Sequence, residues 1–192
     1  MRAVKRRDGL AALGLPPLGP RPGHPPDLTA VGAGLFRDAL AHVATAVSVV
    51  TTADRSGRAR GVTVGTLCSL SLTPPLVMFC LDRSGGSHRV LTAAPRILIH
   101  VLRDDQAAVA ARFAQTGTDR FGGLDGSWHD LPTIPDTAVR LACARYGTVQ
   151  AGDHSIVICL VQDAEVGGGE PLLYYTREYC APLPPGRPLM YL

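Results

Sequence analysis

Three short stretches of this sequence combine residue types that could bind or transform a polar ligand. Ser and Thr recur through residues 61–76, and hydroxyls on an extended chain offer donors and acceptors to a polyol or a ring carbonyl. Ser84 and Ser87 flank two glycines, a composition that can expose a nest of backbone N–H groups to an anion. His154 follows Gly152-Asp153, so an imidazole, which can donate or accept a hydrogen bond, stands just after a turn. Taken alone, each stretch also has a structural explanation: a polar hairpin, a helix cap and a turn residue.

Composition narrows the classes of function. The chain has 192 residues, of which 46 % are hydrophobic and 18 % charged, which is typical of one globular domain rather than a disordered chain. The net charge of +3 resides in residues 1–32, while residues 33–192 carry 14 basic and 14 acidic side chains. A basic groove for nucleic acid is therefore not expected. The only lysine is Lys5, which argues against a Schiff-base lysine or a Walker-type phosphate loop in the core.

Cysteine usage and hydropathy bear on the compartment. The five cysteines are dispersed, odd in number and without CxxC spacing, which indicates free thiols and a cytoplasmic location rather than disulfides or a zinc site. His24, His42 and His129 show no ligand spacing, so no metal site is expected. No apolar run reaches the roughly 20 residues of a membrane-spanning helix. Arg6-Arg7 precedes a short apolar run that prolines interrupt, so we expect neither a signal peptide nor membrane association.

The hydrophobic pattern predicts many strands and few helices. Helices are predicted around residues 36–43, 88–93 and 106–115, and strands at 47–52, 60–67, 69–72, 76–81, 97–102, 139–150, 155–166 and 172–175. The intervening residues 117–135, rich in Gly, Asp and Pro, predict a long loop. Because helices do not alternate with strands, the expected fold is mainly β, an antiparallel barrel with a few peripheral helices. Gly167-Gly168-Gly169 predicts a hairpin turn rather than a dinucleotide-binding loop.

Three regions are expected along the chain. Residues 1–32 form a flexible, basic arm rich in Pro and Gly. Residues 33–183 form the folded domain, and residues 184–192 form a Pro-rich tail.

Four segments together resemble the flavin reductase family, the small NAD(P)H:flavin oxidoreductase components of two-component monooxygenases. They are residues 36–52, the hydroxyl-rich stretch 61–76, the turn 82–88 and Gly152-Asp153-His154, and the resemblance extends over residues 36–179. It implies a split antiparallel β-barrel of the FMN-binding, Greek-key type. It also implies a homodimer and NAD(P)H-dependent reduction of FMN or FAD for a partner monooxygenase.

The resemblance also assigns site residues. In this family the hydroxyl-rich stretch lies along the flavin, the serine-containing turn meets its phosphate, and the histidine of the last segment lies beside the ring where nicotinamide docks. His154 is thereby implied as the catalytic residue, because an imidazolium would stabilise the negative charge of reduced flavin. Asp119-Arg120-Phe121 and residues 174–179 match weaker family motifs. The implied cofactor-binding residues are Thr63, Val64, Gly65, Thr66, Ser69, Ser71, Arg83, Ser84, Ser87, His100, Arg120, Phe121, Gly152, Asp153 and Tyr175.

Several positions depart from the family pattern. Gly65 stands where an asparagine is usual, Thr66 where a serine is usual and Leu67 where a phenylalanine is usual. His100 also replaces a common asparagine, and its strand context favours a buried core histidine. Two alternatives therefore stay open: a flavoprotein on the same barrel that acts directly on a small organic substrate, and a non-catalytic flavin-binding or partner module. NAD(P)H oxidation with and without added flavin would discriminate between them.

Overall fold

The computed structural model describes residues 30–116 and 119–183. The predicted arm up to residue 29 and the predicted tail lie outside the described residues. The helices are α1 (Ala33–Ala41), α2 (His88–Ala93) and α3 (Ala107–Ala114), the last preceded by a 3-10 turn at Asp104–Gln106. The strands are β1 (Thr45–Ala46), β2 (Ser48–Ala53), β3 (Ala59–Val64), β4 (Cys68–Leu72), β5 (Pro75–Asp82), β6 (Arg96–Val101), β7 (Ser127–Trp128), β8 (Leu131–Pro132), β9 (Val139–Ala151), β10 (His154–Val166), β11 (Leu173–Tyr175) and β12 (Glu178–Cys180).

Seven strands form one antiparallel sheet in the order β3-β2-β6-β9-β10-β5-β4. A smaller sheet has the order β1-β11-β12, and β7 pairs with β8. The prediction of a mainly β, antiparallel fold with few helices is confirmed. In the described residues β3 and β4 are the two edges of the large sheet, and no ladder joins them into a closed barrel. None of the described helices is long and apolar enough to cross a membrane.

The core lies on both faces of the central strands. Val49 and Val50 are successive residues of β2, so their side chains point to opposite faces of the sheet. Both are fully buried, which shows that both faces are covered. Val50 belongs to a cluster that includes Leu91 of α2. Val49 belongs to a second cluster that includes Phe113 of α3. The two later helices therefore cover opposite faces of the sheet.

Two sequence predictions in the connections are wrong. The segment predicted as a loop from residue 117 to 135 contains the β7–β8 ladder. Gly167-Gly168-Gly169 does not close a hairpin, because β11 pairs with β1 and β12 and not with β10. A Cβ atom at Gly167 would lie 2.3 Å from the carbonyl oxygen of Thr137, so this segment needs glycine to pass close to another backbone.

The hairpin formed by β9 and β10 brings distant parts of the sequence together. Its turn contains Gly152 at φ +60°, a conformation that glycine adopts without strain. β10 pairs with β9 on one side and with β5 on the other. The first residue of β10, His154, consequently lies opposite Asp82, the last residue of β5.

Candidate functional site

The carboxylate of Asp82 shapes the turn that follows β5. Its Oδ1 accepts hydrogen bonds from the N–H and the hydroxyl of Ser84, both at 2.8 Å. The backbone bond and then the hydroxyl bond lower the pKa of Asp82, and the charges of His154 and His88 act in the same direction. The predicted phosphate-binding turn is thus held by hydrogen bonds within the protein. The hydroxyl of Ser84 donates one of them to Asp82.

The same turn is joined to the Gly152-Asp153-His154 segment. The N–H of Arg83 donates to the carbonyl oxygen of Asp153 at 3.0 Å. The Nη1 atom of Arg83 donates to the carbonyl oxygen of Gly152 at 3.3 Å. Two predicted segments, about 70 residues apart in the sequence, therefore form one surface.

Asp153 orients the imidazole of His154. The Nδ1 atom of His154 lies 2.7 Å from Oδ1 of Asp153, and the two side chains are 45 % and 92 % exposed. The hydrogen bond with His154 is the first cause of the lowered pKa of Asp153. Because Nδ1 is engaged by the carboxylate, Nε2 is the ring atom that this pair can present to a ligand.

Sequence reasoning assigned no role to three residues of this surface: Asp82 and His88, which bound the predicted turn, and Gln150. The Nε2 atom of His88 lies 2.9 Å from the hydroxyl of the buried Ser155, which faces Gln150 across the β9–β10 ladder. These three residues line an open groove of about 600 Å³, together with Arg83, Ser84 and Asp153. The place of Asp82 at the head of the turn could have signalled its role, whereas Gln150 is identified only by strand register.

A second cavity, of about 530 Å³, borders the same turn at Gly86 and Ser87. Arg120 joins its walls, because Nη1 donates to the carbonyl oxygen of Gly61 at 2.6 Å and to the hydroxyl of Ser87 at 3.0 Å. Its Nε donates to the carbonyl oxygen of Gln115 at 2.8 Å, and burial lowers the pKa of Arg120. We call this space the Arg120 cavity.

Ser87 stands at the N-cap position of α2 but makes no side-chain capping bond. Its hydroxyl donates instead to the carbonyl oxygen of Gly61 at 3.2 Å. Ser87, Arg120 and Phe121, which the sequence analysis proposed from separate motifs, all line the Arg120 cavity. Their contact with a cofactor stays a prediction.

Two predicted residues of β3 have side chains that the fold already uses. The hydroxyl of Thr63 donates to the carbonyl oxygen of Ala110 in α3 at 2.7 Å. The side chain of Val64 is buried in the hydrophobic core. Any contact of Val64 with a cofactor is therefore restricted to its backbone.

The connection from β3 to β4 carries the other hydroxyl-rich positions. Thr66 accepts a hydrogen bond from the N–H of Cys80 at 2.8 Å, which ties this connection to β5. A Cβ atom at Gly65 would lie 3.1 Å from the hydroxyl oxygen of Thr45, so Thr45 limits the space beside it. Ser69 and Ser71 lie on the edge strand β4, paired with β5.

The structure contradicts the assignment of His100 to the cofactor site. His100 is fully buried, with Nδ1 3.1 Å from the carbonyl oxygen of Val49 and Nε2 3.1 Å from the hydroxyl of Thr133. Neither ring nitrogen is available to a ligand, so its role is structural. Tyr175 lies in β11, with its ring edge-on to that of His42, and it lines neither cavity described above.

The part of the chain that the structure describes contains no cluster of metal ligands and no thiol arranged for catalysis. Over residues 30–116 and 119–183, no three His, Cys, Asp or Glu side chains are grouped as metal ligands would be. All five cysteines are free thiols. Burial raises the pKa of Cys143 and of Cys159 to about 12, which keeps both protonated at neutral pH.

Comparison with known families accounts for this arrangement. The family model described as a flavin reductase like domain matches residues 40–182, a range that contains every strand and both cavities. The chain belongs to the flavin reductase-like family. The resemblance inferred from four short segments is confirmed.

Named flavin reductase-like proteins cover most of the chain. An NADH:riboflavin 5′-phosphate oxidoreductase from Streptomyces pristinaespiralis is 40 % identical over 164 residues, which are 83 % of this chain and 93 % of the relative. The reductase component of a 4-nitrophenol 4-monooxygenase/4-nitrocatechol 2-monooxygenase from Rhodococcus opacus is 34 % identical over 147 residues, 75 % of this chain and 78 % of the relative. The structure of an NADH:FAD oxidoreductase from Streptomyces globisporus, in complex with NAD and FAD fragments, matches with a TM-score of 0.75 and 28 % identity, covering 83 % of this chain and 99 % of that chain.

Proposed function

We propose that this chain is a flavin reductase that oxidises NADH or NADPH and supplies reduced FMN or FAD to a partner monooxygenase. The observation that carries the proposal is the contact of the Gly152-Asp153-His154 segment with the Asp82–Ser87 turn, in a family whose similar members are named NADH:flavin oxidoreductases. The cofactors supply the redox chemistry, a hydride passing from reduced nicotinamide to oxidised flavin with one further proton taken up.

The residues present fit a flavin phosphate. Arg120 carries a positive charge that meets only carbonyl and hydroxyl oxygens among the described residues. Guanidinium groups and phosphates form strong charge-assisted hydrogen bonds. The Ser87 hydroxyl, held beside Arg120, would donate to a phosphate oxygen by turning from the carbonyl oxygen of Gly61, and the adjoining N–H groups of the turn add donors. Arg120 and Ser87 would therefore hold the phosphate.

His154 would act on the charge that develops during reduction. Its Nε2 can direct a proton or a positive charge toward a ring that gains electrons, while Asp153 fixes the orientation of the imidazole. Arg83 supports the same segment through two carbonyl oxygens. The proposed role of these residues is to position the flavin and to stabilise its charge. The proposed reaction forms no covalent bond between the flavin and the described part of the chain.

A second copy of the chain would cover the apolar face of α1. No residue of this helix is buried, and Leu35, Phe36 and Leu40 are each at least half exposed. On the edge strand β4, Leu72 is 91 % exposed. Monomeric proteins rarely leave such a contiguous apolar face in water, and two-fold pairing is the commonest way to cover one. We therefore propose a homodimer.

Three further parts of the proposal concern architecture and location. The hydrogen bond from Cys80 to Thr66 brings the end of β3 toward β5, which supports a sheet that curls into a split barrel. The proposed domain is residues 33–183, flanked by an arm and a tail. Free cysteines throughout support a cytoplasmic protein.

NADH and NADPH oxidation followed at 340 nm, with and without added FMN or FAD, tests the proposal. We expect turnover that requires flavin and falls in His154→Asn, because asparagine keeps a polar side chain but cannot carry the charge. The matched control is His129→Asn, which removes an exposed histidine bonded to Asp163. His129 has φ +50°, a conformation that asparagine tolerates.

The outcomes separate the candidate functions. Flavin-dependent oxidation that is equal in His154→Asn and the wild type would refute the role of His154. A flavin-loaded protein that oxidises neither nucleotide would refute the reductase and favour direct action on an organic substrate. A protein that binds no flavin would favour a partner module.

A further inference from the structure

The Arg120 cavity is larger than a flavin phosphate requires. It extends from Arg58, the residue before β3, to Phe121, and its volume of about 530 Å³ lies within the ~300–1,000 Å³ typical of sites for whole small molecules. Ser87 and Arg120 stand at one part of its wall, and Arg58 contributes another. Space therefore remains for a ligand group beyond a single phosphate.

The wall formed by the β2–β3 hairpin is rigid before any ligand binds. The Oδ1 atom of Asp54 accepts hydrogen bonds from the N–H and hydroxyl of Ser56, at 3.0 and 2.7 Å, and from the N–H of Arg58 at 3.0 Å. Its Oδ2 accepts from Nε of Arg60 at 3.1 Å. Asp54 is thereby fully used inside the hairpin. A ligand would meet a preformed wall and would lose little free energy in ordering it.

The charge in the cavity favours an anion. The guanidinium of Arg58 is exposed and makes no hydrogen bond or ion pair within residues 30–116 and 119–183. Arg120 likewise meets no carboxylate among them. Among the described residues, the one carboxylate that lines the cavity is that of Asp119, which accepts a hydrogen bond from the N–H of Phe121 at 3.2 Å. Two unpaired cations against one carboxylate select phosphate groups.

The cavity also has an aromatic wall. Phe121 is half buried and lines the cavity, and its ring packs edge to face on Phe113 with centroids 5.0 Å apart. The absence of a side chain at Gly61 lets both rings lie against β3. An aromatic ring beside arginines is a combination on which proteins bind bases of nucleotides.

We propose that the Arg120 cavity binds the adenylate half of a dinucleotide, with Arg58 on its phosphate and Phe121 against its base. The inference rests on the proposed function, because it supposes that a nucleotide cofactor enters beside Ser87. Two cofactors contain this group: FAD and NADH. Their shared chemistry is an adenosine phosphate, and the experiment distinguishes which of them places it there.

The test compares Arg58→Ala with Arg55→Ala in the full chain. Arg55 lies on the same hairpin and is also exposed, but it lines a different groove, between the hairpin and α2. Equilibrium dissociation constants are measured for FMN and FAD, and KM values for NADH and for reduced nicotinamide mononucleotide, which lacks adenylate. Loss of a hydrogen-bonded charge should weaken adenylate binding by about tenfold. Arg55→Ala should change none of the four values.

Each outcome decides the matter. A loss confined to FAD places the adenylate of the flavin in the cavity, and a loss confined to NADH, with FMN as the flavin, places that of the hydride donor there. Equal weakening of FMN and FAD would overturn the inference, because Arg58 would then act on the flavin's own phosphate and not on adenylate. Unchanged affinity for both dinucleotides would also overturn it. Absence of NADH oxidation by the wild type with either flavin rejects the proposed reductase, while the comparison of FMN with FAD still tests the cavity.

Discussion

Replacing Gly61 by alanine tests whether the Arg120 cavity is walled as the structure shows. A Cβ atom at residue 61 would lie 2.7 Å from Cε1 of Phe113 and 3.1 Å from Cζ of Phe121. Phe113 is fully buried, and the two rings meet at an interplanar angle of 86°. Phe113 belongs to α3, so its ring cannot retreat without disturbing the packing between that helix and the sheet. The added methyl group therefore overpacks this part of the core.

Overpacking of this kind costs about 1–3 kcal/mol of unfolding free energy. In a chain of 192 residues each kcal/mol lowers Tm by about 2–4 °C, so Gly61→Ala should melt roughly 2–12 °C below the wild type. Calorimetry gives Tm, and urea denaturation gives the free energy.

The matched control is Gly86→Ala. Gly86 borders the same cavity, but a Cβ atom there meets nothing within 4 Å. This variant should stay within about 0.5 kcal/mol of the wild type. If Gly61→Ala had the same Tm as Gly86→Ala, the two rings would not lie against β3. That result would refute the aromatic wall of the cavity.

Two further predictions concern pH and self-association. Burial is the largest cause that lowers the pKa of His100 from 6.5 to about 4, so the folded state binds fewer protons than the unfolded state between those values. The free energy of unfolding should fall as pH drops through this window, by on the order of 3 kcal/mol in all. Urea midpoints at pH 7.5 and 4.5 should therefore differ less in His100→Gln than in the wild type. An equal difference in both proteins would contradict a lowered pKa for His100. Phe36→Asp should convert the proposed dimer to a monomer in sedimentation experiments, because it places a charge on the apolar face of α1. Val166→Asp changes another exposed residue, at the end of β10, and should leave the mass unchanged, whereas a monomeric wild type would contradict the proposal.

The sequence predicted the principal elements because their signals are local. The helix at residues 88–93 has the predicted bounds, since Pro95 disfavours helix in the residue before it. The long strands β9 and β10 differ from the prediction by one residue at one end each, because their apolar and β-branched residues continue over thirteen positions.

The missed elements lack such signals. The turn between β7 and β8 contains His129 and Asp130, both at positive φ, where a glycine or asparagine would have marked it. The three glycines at 167–169 carry a turn signal that is genuine. The next strand, β11, belongs to a different sheet, and its position depends on pairings that no local pattern contains.

The sequence identified individual candidate residues more readily than the contacts between them. Arg120 and Ser87 came from separate motifs 33 residues apart, and only the fold shows that they share a hydrogen bond. The pairing of His154 with Asp82 depends on register, since a shift of one residue would turn every side chain of β10 to the other face. His100 was misassigned because a position in a motif does not show whether its ring nitrogens already have partners.

The distribution of hydrogen bonds separates the scaffold of the site from the atoms that remain for a ligand. The hydroxyls of Thr63, Thr66, Ser84 and Ser87 all bond within the protein, so the hydroxyl-rich sequence largely builds the walls of the site. The bonds of the buried Ser87 and the half-buried Thr63 hold the walls most firmly, because breaking them would leave buried polar groups without partners. The groups still available are the guanidinium of Arg58 and one N–H of Arg120 in the cavity, and Nε2 of His154 beside the Asp82–Ser87 turn. Because two of these groups are guanidinium cations, binding should depend more strongly on ionic strength and on these three side chains than on any single hydroxyl of the motif.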